Sequence, residues 1–524
     1  MFQPLKAMYC ILALLFLIIT VSSASALTWQ EKTDRLFRKF DRSSSPGCAI
    51  IVVKDGEIIH QNAYGMANLN HGIPIDPETT IFRTASNSKQ YVAFSILLLH
   101  DEGLLSLDDD IRDYIPEVPD FGETITIRHL IHHVSGIRDY LSLASMSGLI
   151  LMNDFIDKTY AFEMLENQKT LNFPPGDQTM YSNTGFTLLG EVVARVSGQS
   201  LAEFCRERIF EPLGMTNTFF IEDYLTIYEN FADSYTLDLN NNTVRSPIGF
   251  SSVGAAGMAS TVVDLAKWDE NFYHPIVGNR TIIDMMQQKY RLNDRTFGTM
   301  SMGLIIEEAP GVKVVYHGGD LNGFHCQTMR FPNEHFSVIF LSNTAELNSN
   351  ELAAKSIQVR EFFMQEPSTP VTDFQLHEPV PVLPALLSGF IHPDLEMLPY
   401  FNLPSLLPKT KAAKPSQAKP QLTLPQVRNY VGRYYSEELD VFYELALEDG
   451  FLMFKPPRIR PGIFGLDQID SDGSFATEIH PLIGLPAFWG TFTKDGAGNI
   501  DGFLLSNFRI IDLTFTKVTT PPFD

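Results

Sequence analysis

The sequence predicts an α+β domain followed by a small antiparallel β-barrel. Two patterns indicate this architecture. From about residue 47 to residue 363, β-rich runs alternate with amphipathic runs of helical periodicity. Residues 425–524 instead contain short β-rich runs separated by turns, which is typical of a small antiparallel barrel. Residues 366–424 are rich in proline and lack periodicity, so we expect a linker between a first domain over residues 27–365 and the barrel.

Turn and cap residues place the predicted elements of the first domain. A hairpin is expected where Lys54-Asp55-Gly56 separates two β-rich runs, because Asp-Gly favours a tight hairpin turn. Helices are expected after Ser86, Thr126 and Asn183. Two further strands are expected over residues 312–319 and 337–341, and a last helix over residues 349–363.

Composition limits the possible partners. The 524 residues are 44% hydrophobic and 11% aromatic, enough for a packed core in each of two domains. The formal net charge is −23, which argues against nucleic acid or an anionic membrane as a partner. Composition does not indicate an oligomeric state, and the expectation of a small-molecule or peptide substrate comes instead from the candidate site residues.

Residues 1–26 have the pattern of a secretory signal peptide. Lys6 precedes an apolar stretch, and Ala24-Ser25-Ala26 matches the small-residue cleavage pattern. The prediction is an exported protein, periplasmic or secreted, with no membrane span in the mature chain. The alternative is an N-terminal anchor that is not cleaved. Cysteines 48, 205 and 326 of the mature chain are too widely spaced to predict a disulfide framework, although one pair could bridge.

The pair Ser86 and Lys89 is the first candidate for chemistry. Three residues apart at the start of a helix, the hydroxyl and the amine share one face, so a desolvated lysine could take the serine proton. The same Ser-x-x-Lys spacing recurs at Ser416 and Lys419 in Pro-rich sequence, where no helix is expected. The structural alternative is an N-cap serine followed by a solvated lysine.

The segment Tyr181-Ser182-Asn183 is the second candidate. It follows a Pro-Gly turn and directly precedes an apolar helix, a position from which side chains can project into a cleft. Tyr181 could relay the serine proton, and Asn183 could bind a substrate amide or hold Lys89. The alternative is an ordinary loop tyrosine and turn asparagine.

The segment His317-Gly318-Gly319-Asp320 is the third candidate. Two glycines at the end of a β-rich run would let a substrate lie along the backbone, and the Asp320 N–H could form an oxyanion hole with that of Ser86. The alternative is a strand-end turn with an incidental histidine.

A metal site is the less favoured interpretation of three nearby histidines. His129, His132 and His133 have helical spacings, but no His-Glu-x-x-His pattern and no carboxylate at matching spacing accompanies them. Helix packing or capping is the expected role, and no metal or other cofactor is predicted.

Taken in order, the motifs Ser86-x-x-Lys89, Tyr181-x-Asn183 and His317-x-Gly319 resemble the active-site elements of the penicillin-recognising serine hydrolases. The likeness is to the class C β-lactamase-like branch, which contains D-alanyl-D-alanine carboxypeptidases, D-aminopeptidases and esterases, and it covers about residues 36–363. It implies an antiparallel sheet flanked by helices, an all-helical lobe and a site between them. Ser86 would be acylated, Lys89 and Tyr181 would move its proton, and Asn183 would orient Lys89 and the substrate. The C-terminal barrel resembles the lipocalin-like domains attached to some of these hydrolases.

One departure from the family pattern affects the expected substrate. Class C β-lactamases have lysine at the position of His317, a fixed cation suited to a substrate carboxylate, whereas histidine is largely neutral near pH 7. An ester, amide or D-amino-acid peptide is therefore the expected substrate rather than a β-lactam. The alternative functions are a penicillin-binding sensor that is acylated without efficient turnover, and a β-lactamase.

Overall fold

The structure is a computed structural model. It describes residues 27–149, 154–238, 241–309, 312–364, 428–448, 451–455, 464–469, 472–477, 488–507 and 509–518. The predicted signal peptide (residues 1–26) and the predicted linker (residues 366–424) lie outside the described residues.

The described chain contains α-helices and β-strands along most of its length. The strands are β1 (Cys48–Lys54), β2 (Glu57–Tyr64), β3 (Met66–Asn68), β4 (Ile73–Pro74), β5 (Phe82–Arg83), β6 (Phe219–Phe220), β7 (Tyr235–Leu237), β8 (Thr243–Arg245), β9 (Met258–Ser260), β10 (Ile305–Ala309), β11 (Val312–Leu321), β12 (Phe324–Phe331), β13 (Phe336–Ser342), β14 (Gly432–Ser436), β15 (Val441–Glu448), β16 (Phe451–Lys455), β17 (Phe464–Ile469), β18 (Ser474–Thr477), β19 (Trp489–Lys494), β20 (Ile500–Asn507) and β21 (Ile510–Val518). The α-helices are α1 (Trp29–Phe37), α2 (Lys89–Asp101), α3 (Ile127–Ile131), α4 (Tyr140–Met146), α5 (Lys158–Glu166), α6 (Asn183–Ser197), α7 (Leu201–Cys205), α8 (Val262–Glu270), α9 (Arg280–Met286) and α10 (Ser349–Met364).

A six-stranded antiparallel sheet forms the centre of the N-terminal part. Its strand order is β10-β11-β12-β13-β1-β2. Successive side chains of β1 enter different cores: Ile50 and Val52 pack with α1 and α10, whereas Ile51 and Val53 pack in the core that contains α2 and α8. Both faces of this sheet are therefore covered, which explains why β1 is a continuous apolar run rather than an alternating one.

The predicted hairpin is confirmed as β1 and β2. Asp55 and Gly56 both have positive φ, 52° and 82°, as the tight turn between two right-twisted strands requires. The helices expected after Thr126 and Asn183 are confirmed as α3 and α6, with Thr126 as the N-cap and Gly198 in the left-handed C-cap position.

Two boundaries differ from the sequence prediction. The helix after Ser86 begins as a 3₁₀ turn, Ala85–Ser88, and becomes α-helical only at Lys89. Strand β11 does not end at Gly319 but continues through both glycines to Leu321, because pairing with β12 extends to Leu321 and Phe324.

The C-terminal strands form a closed antiparallel barrel, which confirms that prediction. Strands β14 to β21 pair in sequence order, and β14 pairs with β21 to close the sheet. Its interior is filled by aromatic side chains, which include Tyr434, Tyr443, Phe503 and Phe515. Such rings bury a large apolar area per residue, so a small barrel can have a packed core.

The barrel packs against the helical lobe, the group of helices that contains α3 to α7. Tyr140, Leu143 and Met146 of α4 belong to the same buried cluster as the barrel interior. The Tyr443 hydroxyl donates a hydrogen bond to the Met146 carbonyl oxygen. Arg138 forms a buried ion pair with Glu438 across this contact, with 3.2 Å between Nη1 and Oε2.

The described residues contain neither a membrane-spanning helix nor a disulfide. No helix in those ranges combines the length and the hydrophobicity needed to cross a bilayer. Cys48, Cys205 and Cys326 are all buried and free, so none of the pairs left open by the sequence forms a bridge.

Candidate active site

Ser86 lies in the 3₁₀ turn between β5 and α2. Ala85, the residue before it, has a φ of 48°, a strained left-handed conformation for a residue with a side chain. The Ser88 hydroxyl donates to the Ala85 carbonyl oxygen at 2.5 Å and accepts from the Met258 N–H at 3.2 Å, so β9 holds the turn. Ser86 is 7% exposed.

The Lys89 amine lies within hydrogen-bond distance of Ser86. The distance from Nζ to the Ser86 Oγ is 3.2 Å, and Nζ also contacts the Asn183 Oδ1 at 2.9 Å and the Ala255 carbonyl oxygen at 2.6 Å. Lys89 is fully buried, and burial lowers its pKa well below the ordinary value, with the positive charge of Arg509 acting in the same direction. A neutral amine next to the serine hydroxyl can accept the serine proton.

The Tyr181 ring lies next to the same amine. Lys89 Nζ is 4.7 Å from the ring centroid, and the imidazole of His133 stacks on the ring with centroids 4.4 Å apart. His133 Nδ1 accepts a hydrogen bond from the Ser182 N–H at 3.0 Å, and Asp139 Oδ1 accepts from the Asn183 N–H at 2.7 Å. These contacts fix the segment that carries both Tyr181 and Asn183 at the start of α6.

Strand β11 passes close to the 3₁₀ turn of Ser86. Gly319 allows this approach, because a Cβ there would overlap the Thr84 carbonyl oxygen and lie 2.9 Å from the Ser86 nitrogen. Among the described residues, no strand pairs with β11 beyond Tyr316 on the β10 side, and the His317 carbonyl oxygen accepts from Asn87 Nδ2 at 3.0 Å.

His317 is fully buried beside Tyr181, with ring centroids 6.4 Å apart. Burial lowers its pKa to about 4, so the imidazole is neutral near pH 7. Its Nδ1 lies 2.5 Å from the Gly318 carbonyl oxygen. Because a carbonyl oxygen only accepts, Nδ1 carries the proton and Nε2 presents a lone pair.

The Asp320 side chain points away from Ser86. Its Oδ1 lies 2.5 Å from His325 Nδ1 and accepts from the Ser349 N–H at 2.9 Å. Burial acts to raise the pKa of Asp320, but the bonds from His325 and Ser349 outweigh it and hold the pKa below its ordinary value. The carboxylate therefore stabilises the end of β11, and only the backbone of Asp320 is left for a role toward the substrate.

The structure brings together the groups that the sequence proposed for chemistry. Ser86, Lys89 and Asn183 form one hydrogen-bonded set, and Tyr181 and His317 lie beside it. Gly318 and Gly319 belong to the β11 segment next to Ser86.

Four groups near Ser86 were not identified from the sequence. They are the Ala255 carbonyl, His133, Asp139 and Arg509. The Ala255 carbonyl and Arg509 belong to two parts of the chain, residues 254–260 and the barrel, in which the sequence offered no candidate group. His133 was correctly assigned to packing, but the ring on which it packs is Tyr181.

Contacts within the protein engage the rings of the three candidate histidines. His129 caps α3 with Thr126, and His132 bonds through its ring nitrogens to the carbonyl oxygens of Arg128 and Gln288. Within the part of the chain that the structure describes, no cluster of three or more His, Cys, Asp or Glu residues is arranged to hold a metal ion.

A family model described as beta-lactamase matches residues 33–359. The chain belongs to the beta-lactamase family. This match confirms the resemblance drawn from the Ser86, Tyr181 and His317 motifs, and with it the predicted β-lactamase-like fold.

Two curated relatives are similar to part of this chain. A penicillin-binding protein of Bacillus subtilis is 27% identical over 322 residues, which are 58% of this chain and 69% of that protein. A D-aminopeptidase of Gluconobacter oxydans is 27% identical over 327 residues, which are 61% of this chain and 60% of that protein. The chain thus spans only about 60% of the D-aminopeptidase.

Solved structures extend the similarity of fold to the barrel. A penicillin-binding protein homologue from Pyrococcus abyssi, described as octameric, aligns with a TM-score of 0.55 and 22% identity, covering 92% of this chain and 98% of that one. SurE aligns with a TM-score of 0.57 and 18% identity, covering 94% of this chain and 99% of that one. At these identities the comparison shows the fold alone.

Proposed function

We propose that this protein is an exported serine hydrolase that acts through an acyl-enzyme on an ester, an amide or a D-amino-acid peptide. The observation that carries the proposal is the 3.2 Å contact between Lys89 Nζ and Ser86 Oγ, with a lysine whose pKa is lowered by burial. The D-aminopeptidase and the penicillin-binding protein among the relatives support this substrate class.

The proposed first half of the reaction is acylation. The Ser86 proton passes to the neutral Lys89 amine as Oγ attacks the substrate carbonyl carbon. The N–H groups of Ser86 and Asp320 are proposed to stabilise the resulting oxyanion. Collapse of the tetrahedral intermediate breaks the bond to the leaving group, which takes up the proton through Lys89 and Tyr181. We treat these two residues as one coupled proton-transfer unit.

The second half releases the acyl group. Water loses a proton to the same unit, attacks the Ser86 ester and regenerates the hydroxyl. No described strand lies beside β11 on the β10 side after Tyr316, which supports binding of an extended substrate along that edge beyond His317, whose carbonyl oxygen is already bonded to Asn87. The neutral His317 does not supply the fixed cation of class C β-lactamases, which favours an uncharged or peptide group at this position over a β-lactam carboxylate.

The test compares Ser86→Ala with Ser416→Ala, which removes the hydroxyl of the other Ser-x-x-Lys pair. Substrates are p-nitrophenyl acetate and D-alanine p-nitroanilide. We expect Ser86→Ala to lower kcat by about a thousandfold or more and Ser416→Ala to keep wild-type turnover. Turnover retained in Ser86→Ala would contradict the mechanism.

The same samples are incubated with a fluorescent penicillin and measured by mass spectrometry. A stable adduct on Ser86 without turnover of either substrate would instead support the sensor function.

Export is tested by N-terminal sequencing of the mature protein from the native host. A mature chain that begins at Leu27 supports it, and a chain with an intact N-terminus recovered from the cytosol contradicts it.

A further inference from the structure

Arg509 extends from the barrel into the candidate active site. It lies in the connection between β20 and β21, and its Cζ is 4.7 Å from the centroid of the Tyr181 ring. The side chain is 3% exposed, and Nη1 pairs with Asp139 Oδ2 at 3.4 Å. A guanidinium over an aromatic face is a favourable cation–π contact, so the charge is held beside the Tyr181 ring.

Two donors of this buried guanidinium have no acceptor. Nε and Nη2 make no hydrogen bond to any described group, although both are inaccessible to solvent. A buried N–H without an acceptor is unfavourable and rare in native structures, which points to a ligand. Nε and Nη2 lie on the same edge of the guanidinium, and such a pair matches the two oxygens of a carboxylate.

Residues of the helical lobe hold the chain at Arg509 and Ile511. Asn172 donates to the Arg509 carbonyl oxygen at 2.9 Å and accepts from the Ile511 N–H at 2.8 Å. Arg138 donates to the Ile511 carbonyl oxygen at 2.9 Å. The position of the guanidinium is therefore set by docking of the barrel, and a ligand would meet a preorganised group.

Other groups at the site are poorly suited to bind a carboxylate. The His317 Nε2 presents a lone pair, which repels a carboxylate oxygen. Lys89 Nζ is already engaged by the Ser86 hydroxyl, the Asn183 Oδ1 and the Ala255 carbonyl oxygen, and it must be neutral to act as a base. Arg509 is thus the group at this site with both a permanent charge and free donors.

We propose that Arg509 binds a carboxylate on the leaving-group side of the scissile bond, so that the enzyme cleaves next to a residue that carries a free carboxylate. The inference rests on the proposed function. The leaving-group side follows from position, because Arg509 lies over Tyr181, the residue proposed to return the proton to the leaving group. A carboxy-terminal amino acid of a short peptide has this chemistry.

The test uses two esters that differ only in the leaving group: N-acetyl-D-alanine esterified to glycolic acid and to glycolamide. The ratio of their kcat/KM values reports recognition of the carboxylate. Effects of a substitution on the nucleophile cancel in this ratio, since both esters react with the same Ser86. In the wild type we expect the acid to be preferred by about 10- to 100-fold, the range for hydrogen bonds to a charged group.

Arg509→Ala should bring this ratio close to one. Arg509→Lys keeps the charge opposite Asp139 without the planar pair of donors, so it should restore part of the preference. The matched control is Arg433→Ala, an exposed barrel arginine that lies over Phe442, and it should keep the wild-type ratio. Thermal unfolding of each variant checks that the barrel is folded.

A second measurement is independent of turnover. Calorimetric titration of Ser86→Ala with each intact ester should show tighter binding of the acid, and the difference should disappear in the double variant with Arg509→Ala. Equal binding of acid and amide, or a preference that survives Arg509→Ala, would overturn the proposal. Wild-type protein that hydrolyses neither ester would contradict the proposed hydrolase function, while the titration would still decide the role of Arg509.

Discussion

Substitution of Gly319 by alanine should separate β11 from the turn that carries Ser86. The new Cβ would lie 2.9 Å from the Ser86 nitrogen, where ordinary contacts are 3.4 Å or longer, and it would overlap the Thr84 carbonyl oxygen. Both neighbours are backbone atoms, so the two segments must move apart by about 0.5 Å or more. Catalytic groups must be held within about this distance, so kcat/KM should fall by about 10- to 100-fold. Overpacking of this kind should also cost about 1–3 kcal/mol of stability.

The assay for this variant combines p-nitrophenyl acetate kinetics with urea unfolding. Gly496→Ala is the matched control, because a Cβ at Gly496 meets no atom within 4 Å and its φ is not positive. That control should keep both activity and stability. Wild-type kcat/KM and unchanged stability in Gly319→Ala would refute the argument that β11 and the nucleophile turn need this close approach.

Three further predictions concern stability. Arg138→Ala leaves the buried Glu438 carboxylate without its partner, so urea unfolding should show a loss of about 3–5 kcal/mol, and Glu438→Gln should lose less. Gly198→Ala should cost about 1–2 kcal/mol without a change in kcat, because φ is 74° at this C-cap and a Cβ there meets open space. Acid should destabilise the fold through His132 and His317, whose pKa values are lowered by burial from 6.5 to about 4. Between pH 4 and pH 6.5 each of these histidines is protonated in the unfolded chain and neutral in the folded chain. The free energy of unfolding should therefore fall by about 3 kcal/mol per histidine from pH 7 to pH 4, and His317→Gln should remove one of the two contributions. A pH profile unchanged in His317→Gln would contradict this account.

The elements with strong local signals were predictable from the sequence. The Asp55-Gly56 turn, the Thr126 cap and Gly198 each act within a few residues, so their physical cause is visible in the sequence. The start of α2 was less predictable. Ala85 is left-handed only because β5, β9 and β11 surround the turn, and no local preference of alanine indicates this.

The identities of the candidate catalytic residues were also predictable, because Ser86, Lys89 and Tyr181 occur in short motifs in a known order. The protonation state of Lys89 was not predictable from the sequence. Its lowered pKa depends on complete burial and on the charge of Arg509, which is 420 positions away in the sequence. The stacking of His133 on Tyr181 likewise depends on how α3 packs against α6.

The sequence by itself determined the mixed fold, the C-terminal barrel and the serine, lysine and tyrosine that are proposed to react, since periodicity, turn residues and short motifs are local properties. Only the tertiary structure decided that the barrel contributes Arg509 to the site and that Asp320 turns its carboxylate toward His325. The physical reason is that burial and long-range charge contacts arise only when distant segments pack together, and these set the protonation and the free donors of the site.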